Sequence, residues 1–149
     1  MLALNAKTSA DQIIASLDLS DKLAIVTGAN TGIGFETARS LAAAGAHVIF
    51  ACRSATTGHA AVLKTRQLHP NCQVEFLPLD LASASSIIAF TEKLDAEKID
   101  ILICNAGLIS TDFQPTHEGL EQTVGVCHFG HFLLTKLLMP RLLNALESR

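Results

Sequence analysis

The chain has 149 residues, of which 49% are hydrophobic and 17% charged, and it contains neither tyrosine nor tryptophan. A chain of this size and apolar content can form one globular domain. The net charge of −3 offers no basic surface for nucleic acid, and the lack of tyrosine excludes any mechanism that uses a phenol as acid or base. No apolar stretch reaches the ~20 residues that span a bilayer, and no signal peptide is recognisable, so we expect a cytoplasmic protein.

The first residues form an extension in front of the main domain. Thr8 or Ser9 is placed to cap a short amphipathic helix that runs to about Leu17. We therefore divide the chain into an extension over 1–20 and a main domain over 21–149. The four cysteines are isolated and form no Cys-x-x-Cys pair, so they are expected to be small buried hydrophobic residues and not metal ligands.

The main domain alternates short apolar runs with helical segments. Strands are predicted over 23–27, 47–52, 73–79 and 99–104, and helices over 32–44, 57–69 and 83–97. A loop over 105–116 precedes a last helix from about 118 to 147, with a kink near Pro140. This alternation predicts an α/β, Rossmann-type, doubly wound parallel sheet with strand order 3-2-1-4. Ligands of such sheets bind beyond the carboxyl ends of strands one and four.

The turn after the first strand is rich in glycine. It contains Thr27, Gly28, Ala29, Asn30, Thr31, Gly32, Ile33 and Gly34. Glycine lets the backbone approach an anion closely, and a helix that starts at Gly32 offers free N–H groups and a positive dipole end to a pyrophosphate. A tight structural turn is the alternative interpretation. A P-loop is excluded because no Gly-Lys-Ser/Thr follows.

The choice of dinucleotide can be argued from charge. An NAD site uses an acid about 20 residues past the glycines to bind the ribose 2′-hydroxyl. No Asp or Glu occurs between Glu36 and Glu75, whereas Arg53 follows the second strand. A guanidinium at that position can hold a 2′-phosphate, so NADP is predicted in preference to NAD. The alternative is that Arg53 is a solvated loop cation.

These features resemble the short-chain dehydrogenase/reductase family. The glycine turn has that family's Thr-Gly-x-x-x-Gly-x-Gly spacing, and Asn105-Ala106-Gly107 resembles its Asn-Ala-Gly motif. Segments 51–53, 118–121 and 130–135 are similar to the subgroup that contains retinol dehydrogenases and WW-domain oxidoreductases. The resemblance extends from about residue 17 to residue 143.

The resemblance implies roles for residues outside the glycine turn. Asp80, followed by Leu81, matches the aspartate that contacts adenine, although it could instead start the next helix. Asn105 could likewise be a loop residue that bonds its own backbone. The predicted cofactor-binding set is Thr27, Gly28, Asn30, Thr31, Gly32, Ile33, Gly34, Arg53, Asp80, Leu81, Asn105, Ala106 and Gly107.

The resemblance also implies a reaction, hydride transfer between a nicotinamide and an alcohol or carbonyl. In the family a serine and a Tyr-x-x-x-Lys motif carry out proton transfer to or from the substrate. This chain has no tyrosine. Cys127 also stands where the family has a supporting asparagine. We therefore expect a cofactor-binding half, truncated before the fifth strand and inactive alone. The alternatives are a non-catalytic dinucleotide-binding or regulatory module, and an interaction protein.

Such a half would expose apolar surface. Strand four is predicted to have a free edge with nothing later in the chain to pair with it, and the last helix to lose cover on one face. Self-association and marginal stability are the expected consequences. Within the last helix, the helical spacing predicts a sheet-facing side that consists of Leu120, Val124, Cys127, His131 and Leu134. His128 and His131 are expected to make packing and polar contacts, not to bind a metal.

Overall fold

The computed structural model describes residues 5–149. Its centre is a four-stranded sheet in the order β3-β2-β1-β4, and every pairing is parallel. This confirms the predicted fold class and strand order. The strands are β1 (Leu23–Thr27), β2 (His47–Cys52), β3 (Val74–Pro78) and β4 (Ile101–Ile103).

Helices cover both faces of the sheet. The helices are α1 (Ala10–Ile14), α2 (Gly32–Ala43), α3 (Ala55–Leu68), α4 (Ala84–Lys93), α5 (Gln122–Val124) and α6 (His131–Leu143), with a π-helical segment over Gly125–Gly130 between the last two. Every residue of β1 is buried because the strand contributes Ile25 to the core under α4 and α6, and Val26 to the core under α2. That double burial explains the uninterrupted apolar run.

Several predicted elements are shorter in the structure, among them α1, β3, α4 and β4. The helix expected over 83–97 is capped by Ser83 and ends at Lys93. Leu94 adopts an extended backbone with ψ of 105° and is buried, so the chain leaves the helix to place that side chain in the core. The strand expected over 99–104 forms a regular ladder only over Ile101–Ile103.

The prediction of a single last helix is wrong. Its first part consists of the short α5 and the π-helical segment, and only His131–Leu143 is a regular α-helix, which continues past Pro140. A π turn shifts the side-chain register relative to an α-helix. His131 and Leu134 are buried as expected, whereas Leu120, Val124 and Cys127 are exposed, because Leu120 lies before α5 and the π-helical segment separates Val124 from α6.

The edge of β4 is paired in part. The Arg149 N–H donates to the Asp100 carbonyl at 2.8 Å, and the Leu102 N–H donates to the Arg149 carbonyl at 2.9 Å. This corrects the expectation that nothing later in the chain could pair with strand four. The last helix does expose apolar side chains, since Phe132 is 61% and Leu143 75% exposed.

Asp100 joins the start of β4 to the start of β1. Its buried carboxylate accepts the Leu23 N–H at 3.0 Å and the Lys22 ammonium at 3.2 Å. Burial by itself would raise the pKa of Asp100, but these hydrogen bonds and the charge of Lys98 outweigh it and lower the pKa. The charged carboxylate thus holds these two strands in register.

The extension predicted over 1–20 packs on the main domain within the described residues. Ser9 caps α1, as expected, with a capping box to Gln12. Asp11 of α1 accepts a hydrogen bond from the largely buried Arg39 of α2 at 2.7 Å, and Glu36 holds the same guanidinium at 2.8 Å. These charged hydrogen bonds attach a helix that buries no residue of its own.

Candidate functional site

A cleft of about 450 Å³ lies beyond the carboxyl ends of the strands, at the switch point between β1 and β4. It is lined by every residue of the predicted set except Thr27 and Gly32. Sequence reasoning missed six further lining residues, which are Ala51, Cys52, Ser54, Leu79, Leu108 and Val126. Position at a strand end could have indicated the first four. Nothing in the sequence marked Val126, which reaches the cleft from the π-helical segment.

A larger groove of about 980 Å³ lies beside this cleft, between α1, α2 and α3. The two share Asn30, Thr31 and Ile33. The groove is lined by helix surfaces, with Glu36 and Lys64 as its charged side chains. The smaller cleft collects the strand ends and the loops that follow them, and in sheets of this topology that is where ligands bind.

The N-terminus of α2 borders the cleft with its amide groups uncapped. Gly28 and Gly32 have φ values of 66° and 59°, which favour glycine, and they turn the chain from β1 into the helix. Thr31 is the N-cap residue but makes no capping hydrogen bond with its side chain. The first N–H groups of α2 are therefore free to bind an anion together with the positive end of the helix dipole.

Two glycines allow close backbone packing beneath the cleft. A Cβ added at Gly34 would lie 2.5 Å from the Gly28 carbonyl oxygen and would also collide with the Asn105 amide. A Cβ at Gly28 would lie 3.0 Å from the Ala106 Cα. The first turn of α2, the glycine turn and the loop after β4 thus form one surface that side chains would push apart.

Thr27 connects β1 to the loop after β4. Its buried hydroxyl accepts the N–H groups of Asn105 and Ala106, each at 2.9 Å, and lies 2.9 Å from His131 Nε2. The Asn105 side chain donates to the Thr27 carbonyl at 2.8 Å. The alternative in which Asn105 bonds only its own backbone is therefore not what the structure shows, because its side chain binds β1.

Arg53 and Asp80 lie at the ends of β2 and β3. Arg53 is exposed, and no carboxylate within residues 5–149 forms an ion pair with it. Asp80 accepts the Ala82 N–H at 3.0 Å, so one carboxylate oxygen supports the turn into α4. Asp80 thus supports that turn, whereas Ser83 caps α4 itself; Asp80 also lines the cleft, and its contact with adenine stays a prediction.

The expectation that the cysteines are buried holds for Cys52, whereas Cys72 is half-buried and Cys104 and Cys127 are exposed. Burial raises the pKa of the Cys52 thiol to about 11, so it stays protonated at neutral pH. Cys127 accepts the Leu108 N–H at 3.4 Å and thereby links the π-helical segment to the loop after β4. The structure contains, within residues 5–149, no group of His, Cys, Asp and Glu that could hold a metal ion.

Comparison with known proteins identifies the family. A model of the short chain dehydrogenase family matches residues 22–148. The chain belongs to the short-chain dehydrogenase family. It is 48% identical to the WW domain-containing oxidoreductase of Danio rerio over 147 residues, which are 97% of the chain and 36% of that protein. It is 45% identical to mouse (Mus musculus) retinol dehydrogenase 12, over 90% of the chain and 43% of that protein.

Solved structures share this fold. An uncharacterized protein from Mycobacterium paratuberculosis superposes with a TM-score of 0.77 at 40% identity, over 87% of the chain and 46% of that protein. A short chain dehydrogenase from Escherichia coli CFT073, complexed with NADPH, superposes with a TM-score of 0.75 at 26% identity, over 95% and 59% of the two chains. The chain spans less than half the length of the WW domain-containing oxidoreductase and of the retinol dehydrogenase that it matches. No helix among its described residues is long and apolar enough to cross a membrane.

Proposed function

We propose that this chain is the NADP-binding part of a short-chain dehydrogenase that transfers hydride between an alcohol and a carbonyl. The observation that carries the proposal is the uncapped N-terminus of α2, packed through Gly28 and Gly34 onto the loop after β4 at the switch point. The division into an extension over 1–20 and a dinucleotide-binding domain over 21–149 belongs to the same proposal. The NADPH complex of the Escherichia coli relative supports the choice of a nicotinamide dinucleotide.

Each part of the cleft suits one part of the cofactor. The turn with Gly28, Gly32 and Gly34 would hold the pyrophosphate on the free N–H groups of α2. Arg53 would bind the 2′-phosphate because it is exposed and has no acidic partner among the described residues. The other lining residues would complete the site: Asn30, Thr31 and Ile33 beside the pyrophosphate, Asp80 and Leu81 at the adenine, and Asn105, Ala106 and Gly107 beneath the nicotinamide side, held by Thr27.

The bound nicotinamide would accept or supply the hydride. The chain's own residues would bind and orient that group, with the loop after β4 lining one side of the cleft. A general acid is still needed for the substrate oxygen, and the chain has no tyrosine to act as one. We therefore propose that these 149 residues bind dinucleotide without turning over substrate, a behaviour that a non-catalytic or regulatory module would share.

Dinucleotide titration tests the role of Arg53. Arg53→Ala removes the only side chain proposed for the 2′-phosphate, so the affinity for NADP should fall by about tenfold to a hundredfold, as expected for charged hydrogen bonds. The affinity for NAD should stay unchanged. Isothermal titration calorimetry measures both. Lys93→Ala, which removes a positive charge from the last turn of α4, is the control. Equal NADP affinity in the Arg53 variant and the original chain would refute the assignment.

A second proposal concerns self-association through the uncovered face of α6. Phe132 is 61% exposed on that helix, and the edge of β4 is paired only in part. We expect the sedimentation coefficient to rise with protein concentration, and Phe132→Asp to abolish that rise. Leu63→Asp is the matched control because Leu63 is similarly exposed, at 59%, on α3 across the sheet. A sedimentation coefficient that does not change with concentration would contradict this interface.

A further inference from the structure

His131 lies at the start of α6 with only 7% of its surface exposed. Both ring nitrogens have partners within hydrogen-bonding distance. Nδ1 lies 3.1 Å from the Cys127 carbonyl oxygen, and Nε2 lies 2.9 Å from the Thr27 hydroxyl. The ring therefore connects the π-helical segment to the hydroxyl that holds the loop after β4.

These partners determine the tautomer of the ring. A carbonyl oxygen can only accept, so Nδ1 carries the proton and donates it to Cys127. In the neutral ring Nε2 is then an acceptor, and the Thr27 hydroxyl donates to it. The same hydroxyl oxygen uses its two lone pairs to accept the N–H groups of Asn105 and Ala106. While His131 is neutral, each donor in this network therefore has its own acceptor. This match of donors and acceptors is lost when the ring is protonated.

Protonation would break this arrangement. A protonated Nε2 would direct its N–H at the Thr27 oxygen, whose two acceptor positions are already occupied. Thr27 could turn its own proton to the Ile103 carbonyl at 3.3 Å, but the oxygen would still have three donors for two lone pairs. Either Asn105 or Ala106 would lose its hydrogen bond, and the loop that lines the cleft would loosen.

We propose that neutral His131 is a positioning residue that holds Asn105 and Ala106 through Thr27, and that its protonation loosens this loop and weakens dinucleotide binding. The inference rests on the proposed function, since it assigns regulation to the same cleft. It adds a role for a residue that does not line the cleft.

The surroundings of His131 favour the neutral ring. Burial lowers its pKa, and the hydrogen bond to Cys127 opposes only part of that shift. No carboxylate within the described part of the chain pairs with the ring. Titratable groups near the ring in the fold include the thiol of Cys104, which contacts Thr135 one turn along α6, the thiol of Cys127 and the exposed imidazole of His128. Lys136 on α6, and Glu92 and Lys93 on the neighbouring α4, are exposed.

The sign of the pH effect follows from linkage. A loosened loop frees the ring, so its pKa returns toward the ordinary value of about 6.5, whereas the closed loop keeps it lower. The loosened form therefore binds the proton better. Loosening is favoured as the pH falls below about 6.5, and the closed loop is stable above that value.

Nuclear magnetic resonance of the 149-residue chain, without dinucleotide, tests the network directly. We expect ¹⁵N shifts of the His131 ring to show Nδ1 protonated and Nε2 bare at neutral pH. The amide signals of Asn105 and Ala106 should titrate together with that ring as the pH is lowered. His131→Gln keeps an acceptor near the position of Nε2 but cannot titrate, so it should abolish this coupled shift. His128→Gln should leave it in place. An Nε2-protonated tautomer would overturn the inference.

NADP titration at about pH 7.5 and about pH 5 completes the test. The 2′-phosphate itself titrates near pH 6, so the measured quantity is the ratio of affinities between the original chain and His131→Gln at the same pH. That ratio should fall by about fivefold or more on acidification. An unchanged ratio would overturn the inference. If no variant binds NADP at either pH, the proposed function fails, while the Asn105 and Ala106 signals still decide whether His131 positions the loop.

Discussion

Replacing Thr27 with valine is expected to destabilise the fold by about 2–4 kcal/mol although the side chain keeps its shape. The hydroxyl accepts the N–H groups of Asn105 and Ala106 and donates to His131. Valine can make none of these hydrogen bonds, so the N–H groups of Asn105 and Ala106 and the Nε2 of His131 each lose a partner. The free energy of unfolding, measured by urea denaturation at neutral pH, should report the loss.

Thr65→Val is the matched control for this substitution. Thr65 is also fully buried, but its hydroxyl makes a single hydrogen bond, to the Ala61 carbonyl one turn back in α3 at 2.9 Å. That carbonyl stays inside the helix, so its loss of one donor should cost less than about 1 kcal/mol. If both variants lose the same stability, Thr27 is an ordinary core residue and the loop after β4 does not depend on it.

Replacing Gly34 with alanine is expected to reduce dinucleotide affinity by more than about tenfold and to destabilise the fold by about 1–3 kcal/mol. The added Cβ would lie 2.5 Å from the Gly28 carbonyl oxygen and against the Asn105 side chain. Both are held in place, so α2 must move away from the glycine turn. Because the φ of Gly34 is not positive, the effect comes from collision and not from backbone strain. Calorimetric titration with NADP and urea denaturation measure the two losses.

Gly119→Ala separates lost stability from lost binding. Gly119 has a φ of 80° with open space around it, so alanine there strains the backbone by about 1–2 kcal/mol without a collision. It lies outside the cleft. We expect this variant to be destabilised while its dinucleotide affinity stays the same. Unchanged affinity in the Gly34 variant would contradict the pyrophosphate assignment.

Much of the sheet and of the cleft could be predicted because both depend on local patterns. The apolar run of β1 is buried on both faces, and the glycine turn follows it directly. Parallel strands bring their carboxyl ends to one edge of the sheet. Residues as far apart in sequence as Gly28, Asp80 and Asn105 therefore could be assigned to one cleft, and the structure places them there.

The last third of the chain could not be predicted in the same way. The helical spacing favoured one continuous helix, but Gly130 packs its backbone against Leu81, and Gly125 packs against Thr116. The contact of Gly130 with Leu81 joins parts of the chain far apart in sequence, and the backbone at these two glycines is π-helical. The same shift in register buries His131 beside Thr27 and leaves Cys127 exposed next to Leu108.

The sequence by itself determined the family, the strand order and the absence of a phenol for proton transfer. These follow from residue identity and from short-range periodicity, which are present in the linear chain. Only the tertiary structure decided that Thr27 and His131 share a hydrogen bond, that Arg53 has no acidic partner among the described residues, and that Arg149 pairs with the edge of β4. Such contacts depend on how distant segments pack, because a hydrogen bond requires atoms within about 3 Å of each other.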